Sequence, residues 1–233
     1  MDFASISIEG EKSYNSDVIS VFEDGNISCF AVADGKETPS AAELAVNSVV
    51  NDFKNTGTIT KTSVPDYFKN ADEIIQNDEL PLKASMSFLL TNGALAVWGS
   101  IGDCRIYLLK ENMLYEITPD HSDAYTLFEA GELRYPKIRK HKLRYNLFRM
   151  LGKGYDATPF SSKPEMIKNG DAFLICSDGF WENIHELQIE KTLKRAKSAQ
   201  DWLDRMVKII EKNIHHKKYS RFRDSMSAIT III

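Results

Sequence analysis

The chain has 233 residues, 43% of them hydrophobic and 27% charged, a composition typical of a globular protein that buries its core in one domain. The formal net charge of −4 gives no general positive field for nucleic acid or an anionic membrane. No apolar run reaches the ~18 residues that span a bilayer, and the N-terminus lacks a signal-peptide pattern, so we expect a cytoplasmic protein.

Short runs rich in Ile, Val, Phe and Tyr, separated by Gly, Asp and Asn turns, predict mostly antiparallel strands. These runs lie at 5–8, 17–24, 27–34, 86–93, 94–103, 105–112, 113–118, 171–178 and 227–233. Apolar residues at helical spacing predict a first helix capped by Thr38 with Pro39 at its first position. A second helix fits Pro65 to about Gln76, and a third begins near Ser198. The order of elements indicates an α+β fold of one domain, 1–233.

The segment 131–154 has a different composition, because its stretch 134–149 carries many basic residues and no acid. The same pattern fits two interpretations. It could be a solvated face, or a basic flap that steers an acidic phosphorylated partner toward the protein. The three cysteines, Cys29, Cys104 and Cys176, lie in apolar runs without CxxC spacing and are predicted to be reduced, buried thiols.

Three aspartates lie where an apolar strand meets a turn. Asp34 and Asp178 each end a strand and precede a glycine, and Asp224 begins the last strand. One such Asp-Gly pair is typical of an ordinary turn. Carboxylates at the ends of neighbouring buried strands would repel one another unless a cation neutralised them. Oxygen ligands without a cysteine or histidine cluster favour Mg²⁺ or Mn²⁺ over Zn²⁺.

The order of the motifs resembles the metal-dependent serine/threonine protein phosphatases of the type 2C class. The blocks that carry the resemblance are "KSYNSD", "VADG", "GSIGDCRIYLL", "ITPDHS", "FRMLG", "LICSDGFWENI" and "RDSMSAI". They follow in register over almost the whole chain. The resemblance implies a four-layer α-β-β-α sandwich with two Mn²⁺ or Mg²⁺ ions at one end.

The resemblance also implies a role for each matching residue. Asp34 would bridge both ions, and the backbone carbonyl of Gly35 would bind one of them. Asp178 and Asp224 would hold the other ion, while Asp17 would orient bound water. Asp103 resembles an acid that helps Asp178 carry a third ion, and a simple hairpin-turn acid is an equal alternative.

Five positions depart from the pattern of the family. Lys12 stands where a phosphate-binding arginine is usual, and it keeps the charge without the planar fork. Lys36, with Glu37, replaces a glycine-rich turn after Gly35, and its ammonium could reach the phosphate. Ser16 and Ser225 replace residues that usually support the acids, which could weaken metal affinity or activity.

The predicted function is hydrolysis of phosphoserine and phosphothreonine by a metal-activated water, which needs no covalent phosphoenzyme. Ser177 and Cys176 are therefore interpreted as strand-end structure, and His121 as a structural histidine or a general base. The expected partner is a phosphorylated protein, acted on by a monomer that opposes a Ser/Thr kinase and binds neither nucleic acid nor membrane. The alternative is a weak or inactive relative that binds phosphorylated or regulatory proteins.

Overall fold

The computed structural model describes residues 1–11, 14–36, 38–60, 62–152, 154–216 and 224–233, with the backbone alone at 215 and 216. The strands are β1 (Asp2–Ile8), β2 (Asp17–Asp24), β3 (Ile27–Gly35), β4 (Lys83–Thr91), β5 (Leu95–Ile101), β6 (Arg105–Lys110), β7 (Met113–Ile117), β8 (Leu151–Gly152), β9 (Phe160–Ser161), β10 (Glu165–Met166), β11 (Ala172–Cys176) and β12 (Met226–Ile232). The helices are α1 (Ser40–Thr56), α2 (Ser63–Gln76), α3 (Asp123–Glu129), α4 (Asp178–Trp181), α5 (Glu186–Leu193) and α6 (Ala199–His216). Two 3₁₀ helices cover Tyr135–Lys140 and Lys142–Tyr145.

The strands form two sheets. One sheet has the order β1-β12-β11-β6-β7, and the other has the order β10-β5-β4-β3-β2, with β8 and β9 added beside β4 and β5. The named strands pair antiparallel throughout the part of the chain described. The predicted antiparallel character is therefore confirmed.

Three apolar clusters separate four layers. One cluster lies between the β3 sheet and helices α1 and α2, a second lies between the two sheets, and the third lies between the β11 sheet and helix α6. Strand β3 is apolar on both faces. Ala31 and Ala33 face the helices, while Phe30 and Val32 face the opposite sheet. Alternate side chains of a strand point to opposite faces, so a strand in the middle of four layers is buried on both sides. The predicted α-β-β-α sandwich is confirmed.

The start of α1 differs from the prediction. The helix begins at Ser40, so Pro39 takes the N-cap position and Thr38 lies outside it, with no side-chain cap. The chain turns back before the helix, because the Thr38 N–H donates to the Lys36 carbonyl at 2.9 Å. The predicted Thr38 cap is wrong for this reason. Helices α2 and α6 begin within two residues of their predicted starts.

Helices α3, α4 and α5 and the short strands β8 to β10 were not predicted from the sequence. Each is shorter than the window of about 11 to 18 residues over which apolar periodicity identifies an element. All three cysteines are buried and free, as expected. None of the described helices has the length and apolar composition needed to cross a membrane.

Candidate metal centre

Strand ends bring the predicted acids to one end of the sandwich. In the register of β2 and β3, Asp17 lies directly opposite Asp34. Asp178 follows β11 and Asp224 precedes β12, and these two strands pair so that Cys176 lies opposite Ala228. Asp178 and Asp224 both raise the pKa of Asp34, so the two sheets present their acids to a common space.

Asp34 and Asp17 form the centre of this acid cluster. Their relative exposures are only 3% and 6%. Burial, followed by the charge of Asp34, raises the pKa of Asp17 well above its usual range, although Ser177 opposes the shift by donating to Asp17 Oδ2 at 2.6 Å. Burial also raises the pKa of Asp34. Burial and the neighbouring acids together therefore disfavour the charged forms of both carboxyl groups.

Lys36 lies inside the acid cluster. Its Nζ donates to Asp34 Oδ2 at 2.6 Å and lies 4.0 Å from Asp103 Oδ1. Burial opposes the charged form, but Asp103, Asp34 and Asp178 together raise the pKa of Lys36 well above its ordinary value. The ammonium is therefore a protonated partner of the acids. Its predicted role in binding phosphate stays a prediction.

Asp103 is both a residue of a tight turn and an acid of the cluster, so it fits both of its alternative interpretations. It lies in the tight turn between β5 and β6, next to Gly102 with a φ of 82°. Its carboxylate is nevertheless only 3% exposed and accepts a hydrogen bond from Ser85 Oγ at 2.8 Å. Burial raises its pKa to about 7, with Lys36 lowering it and Asp178 raising it. The turn acid thus faces the cluster.

Ser16 and Ser225 join the two sheets beneath the acids. The Ser16 N–H donates to Ser225 Oγ at 3.1 Å, and Ser16 Oγ lies 3.4 Å from Asp34 Oδ1. The N–H of Ser225 donates to Asp224 Oδ1 at 3.0 Å. The two replaced residues therefore contact each other and support Asp34 and Asp224 respectively.

Gly35 and Gly179 permit close backbone approaches beside the acids. A Cβ at Gly35 would lie 2.1 Å from the Thr38 carbonyl oxygen, and one at Gly179 would lie 2.0 Å from the Ser225 carbonyl oxygen. Neither position has room for a side chain. The turn after Asp34 consequently folds tightly over Gly35 even though Lys36 follows it.

Arg144 was missed as a site residue by the sequence prediction. Only 3% exposed, it places Nη1 3.4 Å from Asp178 Oδ2 and donates from Nη2 to Glu182 Oε1. Burial and then Asp178 raise the pKa of Glu182 to about 7, although Arg144 lowers it. A signal was available, because Glu182 lies one helical turn after Asp178 and the basic run supplies the arginine.

The basic segment therefore has two parts. Arg139 and Arg144 are buried, and Arg139 contacts Glu186 and the Trp181 carbonyl. Lys137, Lys140 and Lys142 are exposed or half-exposed. A solvated face describes these lysines together with the exposed Arg134 and the partly exposed Arg149, and an external docking role is available only to such accessible residues.

Known proteins resemble this chain over most of its length. The serine/threonine phosphatase Stp of Listeria monocytogenes is 27% identical over 211 residues, which cover 83% of this chain and 82% of that protein. The structure of the PPM Ser-Thr phosphatase MsPP of Mycobacterium smegmatis superposes with a TM-score of 0.80 at 21% identity, covering 100% of this chain and 98% of MsPP. The structure of the PstP catalytic domain in complex with two manganese ions superposes with a TM-score of 0.79 at 20% identity, covering 98% of this chain and 96% of that domain. No family model matches the chain.

The chain is thus similar over most of its length to bacterial serine/threonine phosphatases of the type 2C class. Three family-like blocks contact one another beside the acids. Arg105 of "GDCR" forms two hydrogen bonds of 2.6 Å with Asp120 of "PDHS". The Arg105 guanidinium lies 3.6 Å from the ring centre of Trp181, whose Nε1 donates to the Asp103 carbonyl at 2.8 Å. The stacked guanidinium and the indole hold the Asp103 turn in place.

The donor set of the acid cluster fits a hard divalent cation. Four buried carboxylates, Asp17, Asp34, Asp103 and Asp178, face two protein cations. Oxygen donors of this kind are the ligands that Mg²⁺ and Mn²⁺ prefer. Among the described residues, no three acidic, histidine or cysteine side chains already stand as a metal-holding group. The centre thus has the chemistry for metal, with Lys36 positioned among its ligands.

The remaining site predictions have mixed outcomes. Lys12 and Glu37 lie outside the described residues. Ser177 Oγ donates to Asp17 and accepts from the Ser227 N–H at 3.0 Å, as expected for strand-end structure. His121 is buried and accepts from the Gly102 N–H through Nδ1 at 3.1 Å. Burial lowers its pKa to about 4, so the ring is neutral at neutral pH, and its structural role stays a prediction.

Proposed function

We propose that this chain hydrolyses phosphoserine and phosphothreonine in proteins through a metal-activated water. The convergence of Asp17, Asp34, Asp103 and Asp178 at one end of the sandwich carries the proposal. The relationship to Stp of Listeria monocytogenes supports it, because the acids that correspond to the family motifs are all retained in this chain.

Each residue has a distinct role in the proposal. Asp34 and Asp178 would hold the ions with Asp224 and the Gly35 carbonyl, and Asp103 would extend the donor set. When bound, the ions lower the pKa of a shared water and offset charge on the phosphoryl oxygens. Asp17, fixed by Ser177, would orient that water by accepting its hydrogen bond. Lys12 and Lys36 would attract the phosphate.

The substrate is a phosphorylated protein, in keeping with the family. We further propose that the enzyme opposes a Ser/Thr kinase and acts as a cytoplasmic monomer in one domain. The exposed lysines of the basic segment would attract acidic substrates. We propose no role for nucleic acid or membrane. The net charge of −4 and the inward orientation of Arg139 and Arg144 support this choice.

Hydrolysis of an aryl phosphate and of a phosphothreonine peptide with added Mn²⁺ tests the function. Asp34→Ala should abolish turnover. The matched control is Asp24→Ala, an exposed acid at the other end of β2, about 24 Å from Asp17 at 3.4 Å per strand residue. This control should keep wild-type turnover. Wild-type turnover no higher than that of Asp34→Ala would refute the proposal.

A second candidate function is a weak relative that binds phosphorylated or regulatory proteins through the same site. The contact of Lys36 with Asp34 favours it, since an ammonium lies against the acid expected to bridge the ions. Calorimetric titration with Mn²⁺ separates the two. Tight Mn²⁺ binding without turnover would support the binding function, and tight binding with turnover would support the enzyme.

A further inference from the structure

Lys36 joins two acids that come from different parts of the fold. Asp34 ends β3, whereas Asp103 lies in the turn between β5 and β6. Both carboxylates have side chains that are 4% exposed, and the Lys36 ammonium reaches them from a side chain that is 34% exposed. The lysine therefore enters the acid cluster from its solvent side.

The oxygens near this ammonium are already engaged. Asp34 Oδ2 accepts from Lys36 at 2.6 Å, and Asp34 Oδ1 lies 3.4 Å from Ser16 Oγ. Asp103 Oδ1 accepts from Ser85 Oγ at 2.8 Å while it faces Lys36 at 4.0 Å. A cation placed between the two acids meets the requirement that a buried charge be paired.

A divalent ion cannot share this position with the ammonium. A Mg²⁺ ion lies about 2.1 Å from its oxygen ligands. Since Lys36 Nζ is 2.6 Å from Asp34 Oδ2, an ion that bridged this oxygen and Asp103 would occupy the same space. Like charges at such a distance would also repel strongly.

We propose that Lys36 is a resident cation of the metal centre, which prevents a divalent ion from bridging Asp34 and Asp103. Divalent ions are then confined to the side of the cluster formed with Asp178 and Asp224. The inference rests on the proposed function in placing the metals in this acid cluster, and it replaces the phosphate-attracting role of Lys36. It predicts that the side chain at position 36 determines how many ions the chain holds.

The consequence extends to the metal-free protein. Lys36 offsets part of the acid repulsion without metal, so the chelated wild type should unfold at a higher temperature than a variant without this charge. Mn²⁺ should then stabilise the variant more than it stabilises the wild type, because ligands that bind only the folded state raise its stability.

The test compares Mn²⁺ binding by the full chain carrying Lys36→Met, Lys36→Arg or Lys140→Met. Each protein is stripped with EDTA and dialysed, then titrated with MnCl₂ by calorimetry, and its bound metal is counted by equilibrium dialysis. Lys140→Met removes the same charge from an exposed residue outside the cluster and should match the wild type. Lys36→Met should bind one more Mn²⁺ per chain than the wild type. Lys36→Arg, which keeps a cation, should bind as the wild type does.

Several results would overturn the inference. One is equal Mn²⁺ stoichiometry in wild type and Lys36→Met, and another is an extra ion in Lys36→Arg. An unchanged stoichiometry with a raised KM for the phosphothreonine peptide would assign Lys36 to the phosphate instead. If Lys36→Met fails to fold, Lys36→Gln replaces it, with the same extra Mn²⁺ expected and an unchanged ion count again overturning the inference. Because the readout is metal content, a wild type that binds Mn²⁺ without turnover refutes the proposed function and leaves this comparison intact.

Discussion

A very close approach between the two halves of the metal centre occurs at Gly179. This glycine follows Asp178, and the Ser225 carbonyl that it faces follows Asp224. In Gly179→Ala, the new Cβ would lie 2.0 Å from that oxygen, whereas real Cβ contacts essentially never fall below 3.0 Å. The two backbones would therefore have to separate by about 1 Å.

This separation should affect the reaction rate, the metal affinity and the stability of the fold. A misplacement of about 1 Å in a catalytic arrangement costs on the order of 100-fold in rate. Loss of support for metal ligands typically costs about 10- to 100-fold in metal affinity. Overpacking of a tight contact destabilises a protein by about 1–3 kcal/mol. We expect Gly179→Ala to show all three losses, with Mn²⁺ affinity falling by at least about tenfold.

Mn²⁺ titration calorimetry and denaturant unfolding measure these losses. The matched control is Gly25→Ala in the turn between β2 and β3, where φ is +60° and nothing lies within 4 Å of the position that the new Cβ would take. It should cost about 1–2 kcal/mol from backbone conformation alone and leave Mn²⁺ affinity unchanged. If Gly179→Ala bound Mn²⁺ as tightly as Gly25→Ala, the close approach would not be holding Asp178 and Asp224 together.

Two further substitutions test the groups around the acids. Arg144→Met should lower the free energy of unfolding by about 3–5 kcal/mol in EDTA, because it leaves Asp178 and Glu182 buried without their partner; urea titration with and without Mn²⁺ measures the loss. In His121→Gln, the free energy of unfolding should depend less on pH in the acid range than it does in the wild type. The His121 pKa is lowered to about 4, so its stabilising effect is present above pH 6.5 and is lost as the pH falls toward 4, by on the order of 3 kcal/mol; urea unfolding across this range measures it.

The control for Arg144→Met comes from the same basic segment. Lys142→Met removes a solvent-facing charge from the basic segment and should leave stability within about 0.5 kcal/mol of the wild type. Equal stability of Arg144→Met and Lys142→Met would contradict the buried pairing. For His121, the wild type and the Gln variant should converge near pH 4 and diverge toward neutral pH. Parallel profiles would show that another group carries the acid sensitivity.

The long elements of the fold could be predicted because each has its own periodic signal. Strand β3 alternates between helix-facing and sheet-facing residues, and α6 carries an apolar stripe. The cap of α1 could not be predicted, since Thr38 is drawn into the turn over Gly35 by tertiary packing. Helix α4 is four residues long and is fixed by the strand end that precedes it. No local pattern specifies such an element.

The acids of the site could be predicted from their motifs, but their cationic neighbours could not. A lysine after Gly35 can reach either a bound phosphate or a nearby carboxylate. Only the fold, which brings the β5–β6 turn with Asp103 to within 4.0 Å of the Lys36 ammonium, favours the second contact. Arg144 is one of many basic residues in its segment. Its burial against Asp178 depends on a contact over 34 residues of sequence, which composition does not reveal.

The two cations explain how an acid cluster of this density exists in a folded protein. Lys36 offsets Asp34 and Asp103 on one side, and Arg144 offsets Asp178 and Glu182 on the other. Their two charges are fewer than those of the acids Asp17, Asp34, Asp103, Asp178 and Glu182, and burial and the neighbouring acids raise the pKa values of Asp34 and Asp103 although Lys36 opposes the shift. The remaining negative charge is what a divalent ion would neutralise. The protein thus keeps the cluster assembled with its own cations and leaves to metal only the part of the charge that they do not offset, so the choice between enzyme and binding protein depends on how Lys36 and metal share Asp34.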